Sequence, residues 1–235
     1  MNHCVLLLLL SALPLTVMLG QRAALSDFVD CVEIQYGPDD LLINGRPYRP
    51  GHLRAEGHPY FQSEEWHPGT VYLNGQPYPG QQLKYNLHQH QLAIKYERPN
   101  GTRQKVVLSE LLVDSFHLRE HLFVKGGLIL DGEEEGGYLE KLFAKDELAF
   151  YRFQKKVLSS PSNSKPHGEF RDLKAVFYLS KDGQLHEITK KRHFLACFPA
   201  HKQPIKNYMK QHTRRWKKIT DAQFAQLLNF CHAQL

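Results

Sequence analysis

The clearest strand and turn signals of the chain lie in TVYLNGQPYPGQQLKYNLHQHQLAIKYERPNG, residues 70–101. Apolar and polar residues alternate in Leu83–Leu87 and again in Gln91–Tyr96, which is the pattern of half-buried strands. Asn74-Gly75 is a favoured two-residue hairpin turn, and Pro99-Asn-Gly101 marks another turn. The stretch therefore predicts short antiparallel strands that are joined by tight turns.

The same alternation continues on both sides of this stretch. We predict further strands at residues 32–36, 104–108, 121–124, 137–143, 148–157, 174–179 and 184–188. About ten short strands at this spacing indicate an antiparallel β-sheet or a half-open barrel. After about Lys190 the glycines disappear and helical spacing takes over. The predicted fold class is therefore α+β, with a β-rich body at 21–189 and a helical C-terminal segment at 190–235.

Two or three helices are expected in the C-terminal segment. Thr189 is a plausible N-cap for a helix over residues 190–198, and Pro204 suits the first turn of a second helix. Thr220 is expected to cap the last helix through a capping box. The apolar residues of that helix share one face, namely Phe224, Leu227, Leu228 and Cys231.

The N-terminus is a different kind of sequence. Val5–Gly20 is almost wholly apolar and carries no charge, but it is shorter than the ~20 residues that span a bilayer. It is typical of a secretory signal peptide that is cleaved after Gly20 or Ala23. An uncleaved anchor is the alternative. We expect residues 1–20 to be removed, leaving a soluble protein in the periplasm or outside the cell, with no transmembrane segment in the mature chain.

Composition excludes several classes of protein. Thirteen Phe, eleven Tyr and two Trp are too many for a disordered chain, and four Cys are too few for a disulfide-stapled mini-scaffold. Export removes Cys4 and leaves an odd number of thiols. A Cys197–Cys231 disulfide and three buried thiols remain open alternatives.

The positive charge is concentrated at the C-terminus. Residues 21–180 hold 19 Lys+Arg against 21 Asp+Glu, whereas residues 181–235 hold 11 against 3. Four of these cations surround Trp216, namely Arg214, Arg215, Lys217 and Lys218. Such a cluster can bind a polyanion, here lipopolysaccharide or an anionic membrane surface, although the solvated face of an amphipathic helix has the same pattern. Nucleic acid is not an expected partner, because the protein is expected to be exported.

His88 and His90 are the candidate metal ligands. In an extended segment they point to the same face, as a two-histidine site requires, and His67, Glu64 or Glu65 could supply a third ligand. The alternative places both histidines in a solvated turn between two strands. A divalent metal is therefore possible, but the sequence predicts no cofactor and no catalytic residue.

Trp66 is the candidate ligand-contacting aromatic residue of the β-rich body. It lies in the distinctive segment Glu64-Glu65-Trp66-His67, where acids and a histidine flank the indole. Such a residue can line a ligand surface. The alternative is a tryptophan that plugs the mouth of the sheet.

Several short motifs occur in a characteristic order. A G-x-V-x-L-x-G-x-x-Y hairpin spans Gly69–Tyr78, Leu-Lys-Tyr-Asn-Leu spans Leu83–Leu87, and Tyr-Leu-Glu-Lys-Leu-Phe spans Tyr138–Phe143. A helix start with a Phe-Pro ending follows at Lys190–Pro199. In this order the chain resembles a group of uncharacterised exported bacterial proteins. The resemblance implies export and carries no site residue, because that group has no assigned activity.

Three functions remain in view. The leading hypothesis is a non-enzymatic binding protein or envelope-associated scaffold, whose partner is an anionic envelope surface or another exported protein. One alternative is a metal-dependent hydrolase that uses His88 and His90. The other is a polyanion-binding module that uses the basic C-terminal segment.

Overall fold

The protein combines one large antiparallel sheet with three C-terminal helices. The computed structural model describes residues 42, 45–52, 54–97, 101–128, 137–173, 175–212, 216 and 219–234. Within these residues eleven strands form the large sheet: β1 (Gly45–Pro47), β2 (His67–Leu73), β3 (Gln76–Asn86), β4 (Gln91–Glu97), β5 (Arg103–Leu108), β6 (Val113–Leu118), β7 (His121–Lys125), β8 (Tyr138–Lys145), β9 (Leu148–Phe153), β12 (Val176–Lys181) and β13 (Gln184–Glu187). Strands β10 (Lys156–Leu158) and β11 (Phe170–Asp172) pair separately.

The strand order is β1-β5-β4-β3-β2-β6-β7-β8-β9-β12-β13, and the sheet is open, with β1 and β13 at its described edges. The predicted α+β class with an antiparallel sheet is thereby confirmed. Asn74 and Gly75 both have positive φ values, 49° and 80°, as the tight turn between β2 and β3 requires. Asp182 and Gly183 make the corresponding turn between β12 and β13.

Two details of the predicted elements differ from the structure. The strand predicted over residues 148–157 is divided, because β9 pairs with β8 and β12 whereas β10 pairs with β11. The first helix has Lys190 as its N-cap, and the hydroxyl of Thr189 lies 2.8 Å from Nδ1 of His193. The predicted signal peptide and the strand predicted at residues 32–36 lie outside the described residues.

The described C-terminal helices are α1 (Lys191–Ala196), α2 (Lys202–His212) and α3 (Asp221–His232). The capping box of Thr220 is confirmed, and the four predicted apolar residues of α3 are buried. No described helix has the length and apolar character needed to cross a membrane.

The helices cover one end of the sheet. Phe224 of α3 lies against Phe150 of β9 and Phe177 of β12, with ring centroids 4.9 and 5.7 Å apart. Cys197 and Cys231 are both free thiols, and burial raises the pKa of Cys231 to about 12. A second core, around Phe116 and Tyr85, fills the other end of the sheet. The two cores leave the outer face of strands β1, β5, β4 and β3 to be covered by the chain between β1 and β2.

Candidate functional site

A row of four paired residues crosses strands β1, β5, β4 and β3. Arg46 pairs with Val107, Val107 pairs with Ala93, and Ala93 pairs with Lys84. Directly paired residues of neighbouring strands project from the same face of a sheet, so these four side chains share one face. The small apolar side chains of Val107 and Ala93 thus lie between the cations Arg46 and Lys84. The four side chains form a shallow floor with positive charge at both ends.

The chain between β1 and β2 covers this floor. The amide of Tyr48 donates to the carbonyl of Lys105 at 3.0 Å, which continues the pairing of β1 with β5. The amide of Phe61 donates to the carbonyl of Tyr85 at 2.9 Å, and that of Leu87 donates to the carbonyl of Pro59 at 2.8 Å. These main-chain bonds fix the cover on the sheet, so the pocket between them is already formed.

The pocket has a volume of about 160 Å³. Since a water molecule occupies ~30 Å³, this is room for roughly five waters, or for one small group of a ligand. Its walls consist mainly of cationic, phenolic, amide and apolar side chains. The lining residues are Arg46, Pro47, Tyr48, Arg49, Gly51, Tyr60, Lys84, Asn86, Gln89, Gln91, Ala93 and Val107.

Lys84 is the residue that gives the pocket its character. Its side chain is buried, with only 9% of the residue exposed. Nζ lies 4.6 Å from the ring centre of Tyr60 and 5.0 Å from that of Trp66. Within the described residues Nζ has no carboxylate within 4.0 Å and no hydrogen-bond acceptor. Nζ still reaches solvent through the pocket that it lines. A lysine this poorly exposed is nevertheless normally ion-paired, because desolvating a charge is costly, so this one is unusual.

An aromatic frame holds the ammonium in place. The hydroxyls of Tyr48 and Tyr60 lie 2.6 Å apart, and the Tyr48 ring meets the Trp66 ring edge-on at 5.4 Å. Burial raises the pKa of Tyr48, so its phenol stays protonated and neutral. The π faces of Tyr60 and Trp66 attract the Lys84 cation without neutralising it.

The surrounding charges are mostly positive. Arg46 and Arg49 lie exposed in the pocket wall, and Nζ of Lys105 lies 5.9 Å from the ring of Trp66. Burial lowers the pKa of Lys84, the charge of Glu64 opposes this effect, and that of Lys105 adds to it. No acidic residue is among the described residues that line the pocket. This described lining therefore carries a net positive charge.

Trp66, which the sequence singled out, lies beside the Lys84 ammonium and is half-buried. Its role in a ligand surface stays a prediction. The other four predicted binding residues, Arg214, Arg215, Lys217 and Lys218, lie outside the described residues. Trp216 between them packs against Phe194 and Phe224, with ring centroids 5.6 and 5.4 Å apart.

His88 and His90 lie in the turn between β3 and β4 rather than in an extended strand. His88 Nδ1 is 3.1 Å from the carbonyl oxygen of Lys156. His90 Nδ1 is 3.2 Å from the hydroxyl of Tyr85, and its ring stacks on Phe153. The two rings thus have separate contacts. The described part of the chain contains no group of three His, Cys, Asp or Glu residues placed to hold a metal ion.

His67 is buried outside the pocket. Its contacts with a serine and an arginine were not foreseen from the sequence. Arg119 Nη2 donates to Nδ1 of His67 at 2.9 Å, because a guanidinium has no acceptor atom. Burial and the charge of Arg119 lower the pKa of His67, so the ring is neutral and Nε2 carries the proton. Nε2 then donates to Oγ of Ser63 at 2.7 Å. In this state the ring cannot take the proton of Ser63, which argues against a serine nucleophile here.

A second polar cluster surrounds Glu140, which is 2% exposed. Its Oε1 accepts from Nδ1 of His121 at 2.6 Å. Its Oε2 accepts from Nη2 of Arg152 at 2.7 Å and from Nε2 of Gln154 at 2.8 Å. Both oxygens are satisfied, so this cluster fits a structural role. No local pattern predicted this cluster, because its members come from three different strands and the segment after β9.

A larger depression of about 460 Å³ lies between His52, Arg54 and Ala55 on one side and the loop at 158–167 on the other. Its polar lining includes His52, Arg54 and His167, and all three are exposed. It contains no buried charge, and we therefore regard the Lys84 pocket as the stronger candidate.

Comparison with known proteins adds no relative to this picture. The chain matches no family model, no curated protein and no solved structure.

Proposed function

We propose that the protein is a non-enzymatic binding module that holds a small anion, or the anionic end of a larger ligand, at Lys84. The observation that carries the proposal is the poorly exposed Lys84, whose ammonium lines the pocket with no carboxylate within 4.0 Å among the described residues. A carboxylate or phosphate oxygen at Nζ would supply the missing acceptor. Hydrogen bonds of this charge-assisted kind are among the strongest in proteins.

The remaining lining fits the same ligand class. Arg46 and Arg49 provide further cationic donors at the pocket wall, and Gln89 and Gln91 provide amide donors. The main-chain bonds that pin the cover on the sheet reduce the cost of ordering the site on binding. We also propose, from the sequence alone, that the protein is exported and meets its ligand outside the cytoplasm.

A thermal-shift screen with acetate, lactate, phosphate and sulfate tests the proposal. At one hundred times its dissociation constant a ligand stabilises the folded state by about 2.7 kcal/mol, which is readily measured as a rise in Tm. We expect at least one of these anions to raise the Tm of the wild type but not that of Lys84→Met. Lys141→Met is the matched control, because Lys141 is a half-buried strand lysine outside the pocket.

The control must respond like the wild type, since it removes the same charge from another strand. Equal stabilisation of all three proteins would show a general salt effect and would remove the support for a site at Lys84. An absence of any shift in the wild type would contradict the proposal directly.

A further inference from the structure

The helical C-terminal segment carries positive charge that no acid of its own neutralises. Residues 188–220 hold ten Lys+Arg and no Asp or Glu. Glu187 and Asp221 border this run, and Asp221 already forms an ion pair with Arg152 on β9. The cations of this run must therefore find their counter-charge in solvent or in a partner.

Helix α2 presents part of this charge as a row. Lys202, Lys206 and Lys210 recur every four residues, so they lie on the same side of the helix, about 6 Å apart along its axis. All three are exposed, and within the described residues no carboxylate lies within 4.0 Å of their Nζ atoms. Ile205 and Met209 of the same helix are buried in the core beneath β9 and β12. The core thus holds α2 by its apolar side while the lysine row faces solvent.

The stability of α2 does not account for the lysine row. Like charges four residues apart repel, and Lys202 lies in the first turn, where the positive end of the helix dipole disfavours a cation. That turn contains no acidic residue to offset either effect. By contrast, Lys165 lies four residues from Glu169 and forms an ion pair with it. A row of charge that lowers helix stability is expected where a partner uses the charge.

The surroundings of the lysine row suit a partner that is recognised by charge. The residues beside the row are polar, namely Gln203, Asn207 and Gln211. Leu111 and Leu173, the large apolar residues that stand out as exposed in the described chain, lie in other segments. A helix that inserts into a bilayer needs a free apolar face, and the core already covers that of α2. Contact through the row is therefore electrostatic and lies at the surface of the partner.

We propose that α2 docks the protein on an anionic lipid bilayer through Lys202, Lys206 and Lys210. Lysine carries a compact charge on a flexible stem, and no described contact holds these three ammonium groups in one geometry. Such a row does not select a ligand of fixed charge spacing, whereas lipids diffuse and can gather their anionic headgroups beneath it. Each lysine near an anionic membrane surface strengthens binding roughly fivefold, so three contribute on the order of a hundredfold. The Lys84 pocket lies on other strands, so this surface and the proposed function are independent.

The test is cosedimentation of the full chain with vesicles of phosphatidylcholine, alone or mixed with phosphatidylglycerol. The apolar residues 5–20 are the same in every variant, so the readout is the gain in binding that phosphatidylglycerol brings. We expect this gain in the wild type, and we expect it to fall as salt is added. Lys202→Gln, Lys206→Gln and Lys210→Gln combined should weaken binding to the mixed vesicles on the order of a hundredfold. Glutamine has nearly the helix propensity of lysine, and thermal unfolding shows whether this variant is folded.

The matched control removes the same net charge from exposed positions outside the helices, namely Arg54→Gln, Lys105→Gln and Lys145→Gln combined. It should bind the mixed vesicles nearly as well as the wild type. Equal losses in the two triple variants would show a general effect of net charge and would overturn the proposal. A wild type that gains nothing from phosphatidylglycerol, or a gain that salt does not reduce, also overturns it. Retention on heparin without vesicle binding would identify a linear polyanion as the partner and would overturn it too.

Discussion

Lys84 is the single residue whose protonation matters most for the pocket. A poorly exposed ammonium without an ion pair is costly, because part of its hydration is lost and aromatic rings replace it only in part. The folded protein bears this free-energy cost as long as no ligand is bound. Strained or unsatisfied groups of this kind are more often found at functional sites than elsewhere.

The pH dependence of stability follows from the lowered pKa of Lys84. In the unfolded chain its pKa is close to the usual 10.5. Between the lowered folded value and 10.5 the unfolded state binds more protons, so the free energy of unfolding rises with pH. Below the folded pKa, the destabilising contribution of Lys84 is fully present. We expect the stability of the wild type relative to Lys84→Met to increase as the pH is raised towards 10.5.

Urea denaturation at a series of alkaline pH values measures this difference. Lys141→Met again serves as the control, and its difference from the wild type should not show the same rise. A difference between the wild type and Lys84→Met that stays flat or falls with pH would mean that Lys84 is not destabilised by burial.

At the scale of elements, helix α3 illustrates how a short sequence signal specifies a boundary. The hydroxyl of Thr220 accepts from the amide of Gln223 at 3.3 Å, and the side chain of Gln223 accepts from the amide of Thr220 at 3.1 Å. These two bonds satisfy amides that the start of a helix leaves without partners. They also place Asp221, whose carboxylate lies 2.9 Å from Nη1 of Arg152 on β9.

Replacing Thr220 by alanine removes the accepting hydroxyl. We expect Thr220→Ala to lower the free energy of unfolding by about 1 kcal/mol, the usual cost of losing such a cap. Chemical denaturation measures the change. Thr220→Ser keeps the hydroxyl and should stay close to the wild type. A loss of equal size in both variants would point to the methyl group rather than to the cap.

At the scale of the whole molecule, local signals predicted much of the fold. Asn74-Gly75 and Asp182-Gly183 specify tight turns by themselves, and the alternation in Leu83–Leu87 specifies a strand. The division of residues 148–157 was missed, because it depends on β10 pairing with β11, which local alternation does not encode. The pairing of β1 with β5 is another long-range contact of this kind.

The site was predictable only in part, for the same reason. Alternation assigns Lys84 to the polar face of its strand, and nothing local shows that residues 48–66 fold over that face. Trp66 was identified by its unusual neighbours, and it does lie beside Lys84. The Glu140 cluster had no local signal, since its partners are 12 or more residues away in sequence.

Calorimetric titration with phosphate and with lactate measures directly whether Lys84 forms a small-anion site. We predict saturable binding of at least one anion to the wild type and to Lys141→Met. In Lys84→Met we predict that the affinity falls by a factor of roughly ten or more, as expected for losing a charged hydrogen bond. Equal affinity in Lys84→Met, or no binding of either anion to the wild type, would contradict the account.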